Sequence, residues 1–286
     1  MAADAGGGDV VKPSYVVTGA SSGIGRACVA ELVRRGAHVW ASVRTDGDEK
    51  ELDRAYGDAV SVLRMDLRDA ESIAECGARV AAAGPVRGLV NNAGLARPGP
   101  LEYVPLAAFR EQLDVNVTGQ LAVTRAMLPA LRIAPVARVV TVGSIGGRIA
   151  GPMVGPYHTS KFALVGLTDS LRAELAPEGI EVILVEPGAV ATAIWSRARE
   201  AAEEVRATLP PAGLERYGEQ LAAAERSASR SARTGVPPRR AAEVVVRALT
   251  TRRPAPRYLV GTDARLAAVL ASLPFRWRYR LTAAKR

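Results

Sequence analysis

Between a β-branched run at Ser14 to Thr18 and a helical pattern reaching Arg35 lies Thr18-Gly19-Ala20-Ser21-Ser22-Gly23-Ile24-Gly25-Arg26, and this turn restricts the possible folds more than any other stretch. The run before it reads as a short buried strand. The glycines permit a tight turn and let the backbone approach a ligand closely. The helix that follows aims its N–H groups and positive dipole end at the turn, an arrangement suited to a pyrophosphate. A glycine-rich loop carries weight when a strand precedes it and a helix follows within a βαβ-sized unit, as here. Its spacing is Gly-x-x-x-Gly-x-Gly, not Gly-x-Gly-x-x-Gly, which narrows the choice further.

The remaining apolar runs extend the same plan. Ala37–Val43, Val60–Arg64, Val86–Val90, Ala137–Val142, Ile180–Val185 and Arg257–Val260 read as strands separated by helical patterns. Asp69 is a predicted N-cap for a helix over Ala70–Ala83. A helix over Leu106–Arg132 contains Asn116, and one over Pro156–Ala176 carries Leu164, Leu167, Leu171 and Leu175 as a core stripe. The predicted class is α/β, a doubly wound, mostly parallel sheet of about seven strands. Residues 14–286 are expected to form one domain after a flexible leader over 1–13. With 48% apolar residues the chain can bury a large core.

Cys28 and Cys76 read as small buried hydrophobes, and His38 and His158 are too few to build a metal cluster. The leader has no basic start and no long apolar run, and no stretch reaches the roughly 20 apolar residues needed to span a bilayer. A cytoplasmic location is expected.

The chemistry concentrates between Ser144 and Lys161. Tyr157 and Lys161 stand four apart, on one helix face. An ammonium near a phenol favours the phenolate, so the spacing predicts a lowered Tyr157 pKa and a general acid/base near neutral pH. Ser144, at the end of its strand, can bond the same reacting oxygen. At the end of the second strand, where such folds place an acid for the ribose 2′-OH, the chain has Val43-Arg44 and no acid before Asp46. Arg44 is either a solvated surface residue or the partner of a 2′-phosphate, and the missing acid favours the latter. Asp66 is either a turn residue or an acceptor for an adenine amine. Asn91-Asn92-Ala93-Gly94 ends the fourth strand at the edge where open α/β sheets bind ligands. Asn116, a poor residue within a helix, marks either a local kink or a polar group turned into a water-lined site.

Taken in order, Thr18 to Gly25, Asp66, Asn91 to Gly94, Asn116, Ser144, Tyr157-x-x-x-Lys161 and Pro187-Gly188 resemble the short-chain dehydrogenase/reductases, in their compact one-domain form. Val43-Arg44 and Arg257-Tyr-Leu-Val-Gly-Thr-Asp-Ala are similar to the NADP-preferring steroid and retinol branch. The resemblance implies a catalytic tetrad of Asn116, Ser144, Tyr157 and Lys161. Tyr157 would exchange the proton, Ser144 orient the oxygen, Lys161 hold the nicotinamide ribose, and Asn116 position a water. It implies NADP(H) as preferred cofactor, with NAD(H) as the alternative. The implied contacts are Gly19, Ser21, Ser22, Gly23, Ile24, Gly25, Arg44, Asp66, Leu67, Asn92, Ala93, Gly94, Tyr157, Lys161, Pro187, Gly188, Val190 and Thr192. His158, Thr159 and Ser160 are left to packing or surface roles.

The resemblance also implies that the helical segment 193–235 is a lid over the substrate. Its length is similar to that of members acting on bulky apolar carbonyls or alcohols such as steroids, retinoids or polyketides; a surface insertion is the alternative. A 3-oxoacyl thioester reductase and a non-catalytic dinucleotide sensor are the competing functions. The family implies a homodimer or homotetramer. Residues 264–286 hold six of the nine net positive charges and no acid. This short basic segment is no nucleic-acid module. It is read as packed aromatics with arginines in water, in preference to a membrane-surface contact.

Overall fold

Seven runs rich in Val, Ile and Leu become the strands of a single parallel sheet. They are β1 (Ser14–Val17), β2 (His38–Val43), β3 (Val60–Arg64), β4 (Gly88–Asn91), β5 (Ala137–Val142), β6 (Ile180–Pro187) and β7 (Arg257–Val260). The computed structural model describes residues 12–274 with Arg276, Trp277 and Arg280. Most of the expected leader, and Phe275, Arg278, Tyr279 and residues 281–286 of the basic segment, lie outside the described residues.

The strand order is β3-β2-β1-β4-β5-β6-β7. Chain order therefore reverses between β1 and β4, where Val16 pairs with Trp40 on one side and Leu89 on the other. A crevice opens at the carboxyl ends of strands flanking such a reversal. Alternate strand residues feed opposite layers. Val17, Val39 and Ala41 pack with α1 (Gly23–Arg34), α2 (Asp46–Tyr56) and α9 (Pro238–Thr250), while Val16, Trp40 and Leu63 pack with α3 (Ala70–Ala83), α5 (Gly119–Arg132) and α6 (Gly155–Leu175).

Local chemistry sets several ends. Asp69 caps α3 as predicted, its Oδ1 accepting from the N–H groups of Glu71 at 3.0 Å and Ser72 at 3.2 Å. The Thr45 hydroxyl caps α2 by accepting from Asp48 N–H at 3.2 Å, a helix the apolar pattern did not reveal because it buries only Leu52. The helix predicted over Leu106–Arg132 is interrupted. It forms as α4 (Leu106–Leu113), a π-turn at Asp114–Thr118 and α5. One extra residue per turn leaves the apolar spacing on either side intact, and such turns mark functional positions.

Gly166, exposed within α6, has open space around the position of a Cβ. Gly166→Ala is expected to stabilise the protein by about 1 kcal/mol, raising Tm by roughly 2 °C in a thermal melt. A fall in Tm would show that another surface closes on this position.

Between β6 and α9 lie α7 (Ile194–Thr208) and α8 (Pro211–Thr234). They are held to the body by a small cluster in which Met153, Leu209 and Leu221 are buried with Tyr103 and Tyr217 against them. Glu102 accepts from Arg216 at 2.8 Å and from the Tyr217 hydroxyl at 2.7 Å. After β7 comes α10 (Thr262–Ala271). No helix among the described residues is long and apolar enough to cross a membrane.

Candidate active site

The floor of the crevice is organised by one hydroxyl. Thr18 Oγ1 donates to Val90 O at 3.2 Å and accepts from the N–H groups of Asn92 at 2.9 Å and Ala93 at 3.0 Å. Asn92 Nδ2 returns to Thr18 O at 2.9 Å and Gly19 O at 3.3 Å. The ends of β1 and β4 are thus stitched into one platform. Gly19 (φ +63°) and Gly23 (φ +57°) take left-handed conformations that suit glycine. A Cβ on Gly25 would stand 2.3 Å from Gly19 O and 2.5 Å from Asn92 Nδ2, so only glycine lets α1 start this close to the loop.

The α1 N-terminus has the features of an anion site. Ser22 occupies the N-cap position without a side-chain cap bond, and the first turn carries no acid. Its orphan N–H groups face the platform, which fits a dinucleotide pyrophosphate. Thr192 lies against Gly23, its Cγ2 3.1 Å from where a Cβ would be, so the loop after β6 borders the same cradle. That loop is fastened from behind. Gly188 N–H donates to Val260 O at 2.9 Å, Ala189 N–H to Asp263 Oδ2 at 2.7 Å, and Val190 O accepts from Trp195 Nε1 at 2.7 Å.

Arg44, at the end of β2, is exposed and carries no hydrogen bond or ion pair among the described residues. The neighbouring arginines are committed: Arg26 to Glu51 at 2.8 Å, and Arg64 to Asp46. Arg44 is therefore the uncommitted arginine at the end of β2. The Asp66 carboxylate is held by Arg68 through Nη2 at 2.7 Å, Nε at 3.2 Å and the backbone N–H at 2.9 Å. The Arg68 hydrogen bond lowers its pKa below the usual carboxylate range, with Arg44 adding a smaller pull. Leu67 is buried beside it.

Ser144, Tyr157 and Lys161 meet at the carboxyl end of β5, and Asn116 reaches them only through Ser160. Ser144 caps a short 3-10 turn (Ile145–Gly147), its Oγ accepting from Gly146 N–H at 3.0 Å. Tyr157 enters from the first turn of α6. Burial raises its pKa above the ordinary phenol value, and a hydrogen bond with Ser144 opposes that rise. The lowering by Lys161 that the spacing predicted is not what the structure shows. Lys161 Nζ lies 5.7 Å from the Tyr157 ring centre and donates to Val142 O at 3.0 Å. Desolvation acts on the ammonium itself, whose pKa falls to about 8. Asn116 is fully buried in the π-turn. Its Oδ1 accepts from Leu95 N–H at 2.9 Å, and its Nδ2 donates to Leu95 O and Ser160 Oγ, both at 3.0 Å.

The lowered Lys161 pKa has a testable consequence. Between pH 8 and 10 the unfolded chain keeps a proton that the folded chain has released, so stability rises with pH across that window. Lys161→Met is expected to be the more stable protein at pH 7. Its advantage should shrink by roughly 2 kcal/mol at pH 10, as read from urea unfolding at both values. An advantage that stays constant with pH would show that the ammonium is not desolvated.

Four residues outside the predicted set hold this arrangement. His158 Nδ1 donates to Gly146 O at 2.8 Å, so the turn bearing Ser144 is tied to the residue next to Tyr157. Ser160 Oγ donates to Tyr157 O at 2.7 Å and accepts from Asn116, linking the π-turn to α6. Arg148 grips the fully buried Glu186 with Nε at 2.7 Å and Nη2 at 2.5 Å, joining the Ser144 loop to the Pro187-Gly188 loop. Glu186 directly follows the apolar run Ile180–Val185, where an acid that is buried needs a partner, and the structure extends the strand through it. His158 and Ser160 left no such mark.

One cleft has a volume of about 870 Å³. It runs between α4, the loop after β4 and α7, and of the predicted residues only Leu67 lines it.

The family model described as short chain dehydrogenase matches residues 14–203. An NADPH-dependent 3-dehydrocapnine reductase of Ornithobacterium rhinotracheale is 32% identical, covering 86% of this chain and 87% of its own. Human 17-beta-hydroxysteroid dehydrogenase type 1 is 35% identical over 85% of this chain and 76% of its own. Among solved structures, a short chain dehydrogenase of Burkholderia cenocepacia J2315 in complex with NADP superposes with a TM-score of 0.74 at 27% identity, over 96% of this chain and 98% of that one.

Proposed function

Because the chain belongs to the short-chain dehydrogenase family, we propose that it is an oxidoreductase interconverting a bulky, largely apolar ketone or aldehyde and its alcohol. The cofactor is NADP(H), with NAD(H) as the alternative. When bound, its nicotinamide supplies or accepts the hydride. The first turn of α1, Gly19 and the Asn92–Ala93 platform would hold the pyrophosphate and adjoining ribose, and Arg44 the 2′-phosphate.

The observation that carries the reading is Tyr157, hydrogen-bonded by Ser144 and backed by Lys161, at the same sheet edge as the open α1 N-terminus. Ser144 orients the carbonyl oxygen. Tyr157, protonated at neutral pH because burial raises its pKa, gives that oxygen its proton in reduction. Helices α7 and α8 act as the lid, held by the Tyr103–Tyr217 cluster, and their span suits an extended apolar substrate. Steroid and retinol dehydrogenases among the relatives support that substrate class.

The test is NADPH consumption at the nicotinamide absorbance, with bulky ketones and aldehydes set against 3-oxoacyl thioesters. Turnover on thioesters alone would overturn the substrate class. Arg44→Asp should raise the KM for NADPH by 10- to 100-fold, as expected for loss of a charge-assisted phosphate contact, and leave that for NADH nearly unchanged. Equal effects on both cofactors would remove Arg44 from the 2′-phosphate.

A further inference from the structure

The C-terminal helix leaves an apolar face uncovered. In α10, Leu266 and Val269 are 65% and 64% exposed and Leu270 is half-buried; Leu273, also half-buried, lies two residues past the end of the helix. Residues three and four apart share one helix face, so Leu266, Val269 and Leu270 form a single stripe that Leu273 follows. Just beyond stands Trp277, 49% exposed; of the two expected placements, on the domain or on a partner subunit, it does not take the first. Arg276 and Arg280 flank its ring at 5.9 and 5.8 Å from the centre. The segment 264–286 carries six basic side chains and no acid.

We propose that this face is a docking surface for an anionic lipid membrane. Aliphatic side chains and an exposed Trp among arginines are the composition that seats a helix at the headgroup boundary, the apolar groups entering and the cations meeting anionic headgroups. A second copy of the chain fits poorly. A two-fold contact would set each positive segment against its own image. An acidic protein would meet the arginines but leaves four aliphatic side chains and an indole to be matched.

The position of α10 gives the contact a use. The helix packs on the 3-10 turn that carries Ser144, and its Asp263 holds the loop after Pro187-Gly188. A membrane at this face brings the crevice close to the layer in which apolar carbonyl compounds dissolve. That use rests on the function proposed above; the membrane contact does not.

The experiment is co-sedimentation of the full chain with phosphatidylcholine vesicles, with and without about 30% phosphatidylglycerol, at low salt and at about 0.5 M salt. Binding is expected only to the anionic vesicles and is expected to weaken in high salt. Leu266→Asp/Val269→Asp should reduce it at least tenfold, and Arg276→Gln/Arg280→Gln by roughly 30-fold. All these side chains are exposed, so both variants should keep the wild-type Tm and NADPH affinity, which separates this test from the test of the enzymatic reading. No binding to anionic vesicles at low salt overturns the proposal, as does equal binding by Leu266→Asp/Val269→Asp. A dimer in sedimentation equilibrium that this variant dissolves, without vesicle binding, would assign the face to a second copy. Retention on immobilised polyglutamate but not on vesicles would assign it to an acidic protein.

Discussion

Tyr157→Phe is expected to lower turnover by roughly 10³-fold while NADPH affinity stays within about twofold. Phe keeps the ring that shares the α6 face with Lys161 and loses only the hydroxyl facing Ser144. Ser144 and Lys161 each keep a second partner, Gly146 N–H and Val142 O, so neither is released by the change. What disappears is the proton donor. Burial keeps the phenol protonated through neutral pH, so the same site should favour reduction there, and oxidation, which needs the phenolate, should strengthen as pH rises. Steady-state rates in both directions from pH 6 to 10, with fluorescence titration of NADPH, check both parts. A variant within tenfold of wild type would mean that the proton comes from another group.

Gly25→Ala should be nearly as damaging, but through binding. The new methyl group would lie 2.3 Å from Gly19 O and 2.5 Å from Asn92 Nδ2. Neither neighbour is a flexible side-chain end free to swing away. Gly19 is in a left-handed turn, and Asn92 Nδ2 is bonded to Thr18 O and Gly19 O. Relief requires α1 to withdraw from the loop, which opens the cradle for the pyrophosphate. NADPH affinity is expected to fall at least 100-fold, with Tm lowered by several degrees. Unchanged affinity by the same titration would mean that the pyrophosphate does not sit on this turn.

Much of the scaffold was legible because its signals are local. Strand β7 begins and ends where its apolar run does, and Asp69 caps α3 from one residue before it. Helix interruption at Asn116 was not legible, since apolar spacing continues on both sides of the π-turn. Of the two readings of Asn116, the backbone departs from the α-helix, and the amide is satisfied by Leu95 and Ser160 rather than turned to water. The direction of the Tyr157 shift depends on how much water reaches the phenol, which i,i+4 spacing does not encode. His158 matters only because the Gly146 carbonyl arrives beside it from twelve residues away.

The bond from Ala189 N–H to Asp263 also bears on the order in which the protein is made. Its two ends are 74 residues apart, whereas the Thr18–Asn92 platform needs nothing beyond Ala93. On a ribosome releasing about 5–20 residues per second, the Thr18–Asn92 platform is complete well before the loop after β6 is clamped. A nascent chain thus passes through a period in which the loop after β6 hangs without its clamp. Any tag or truncation that delays α10 lengthens that period, and limited proteolysis of stalled chains should find residues 188–192 cut until Asp263 has emerged.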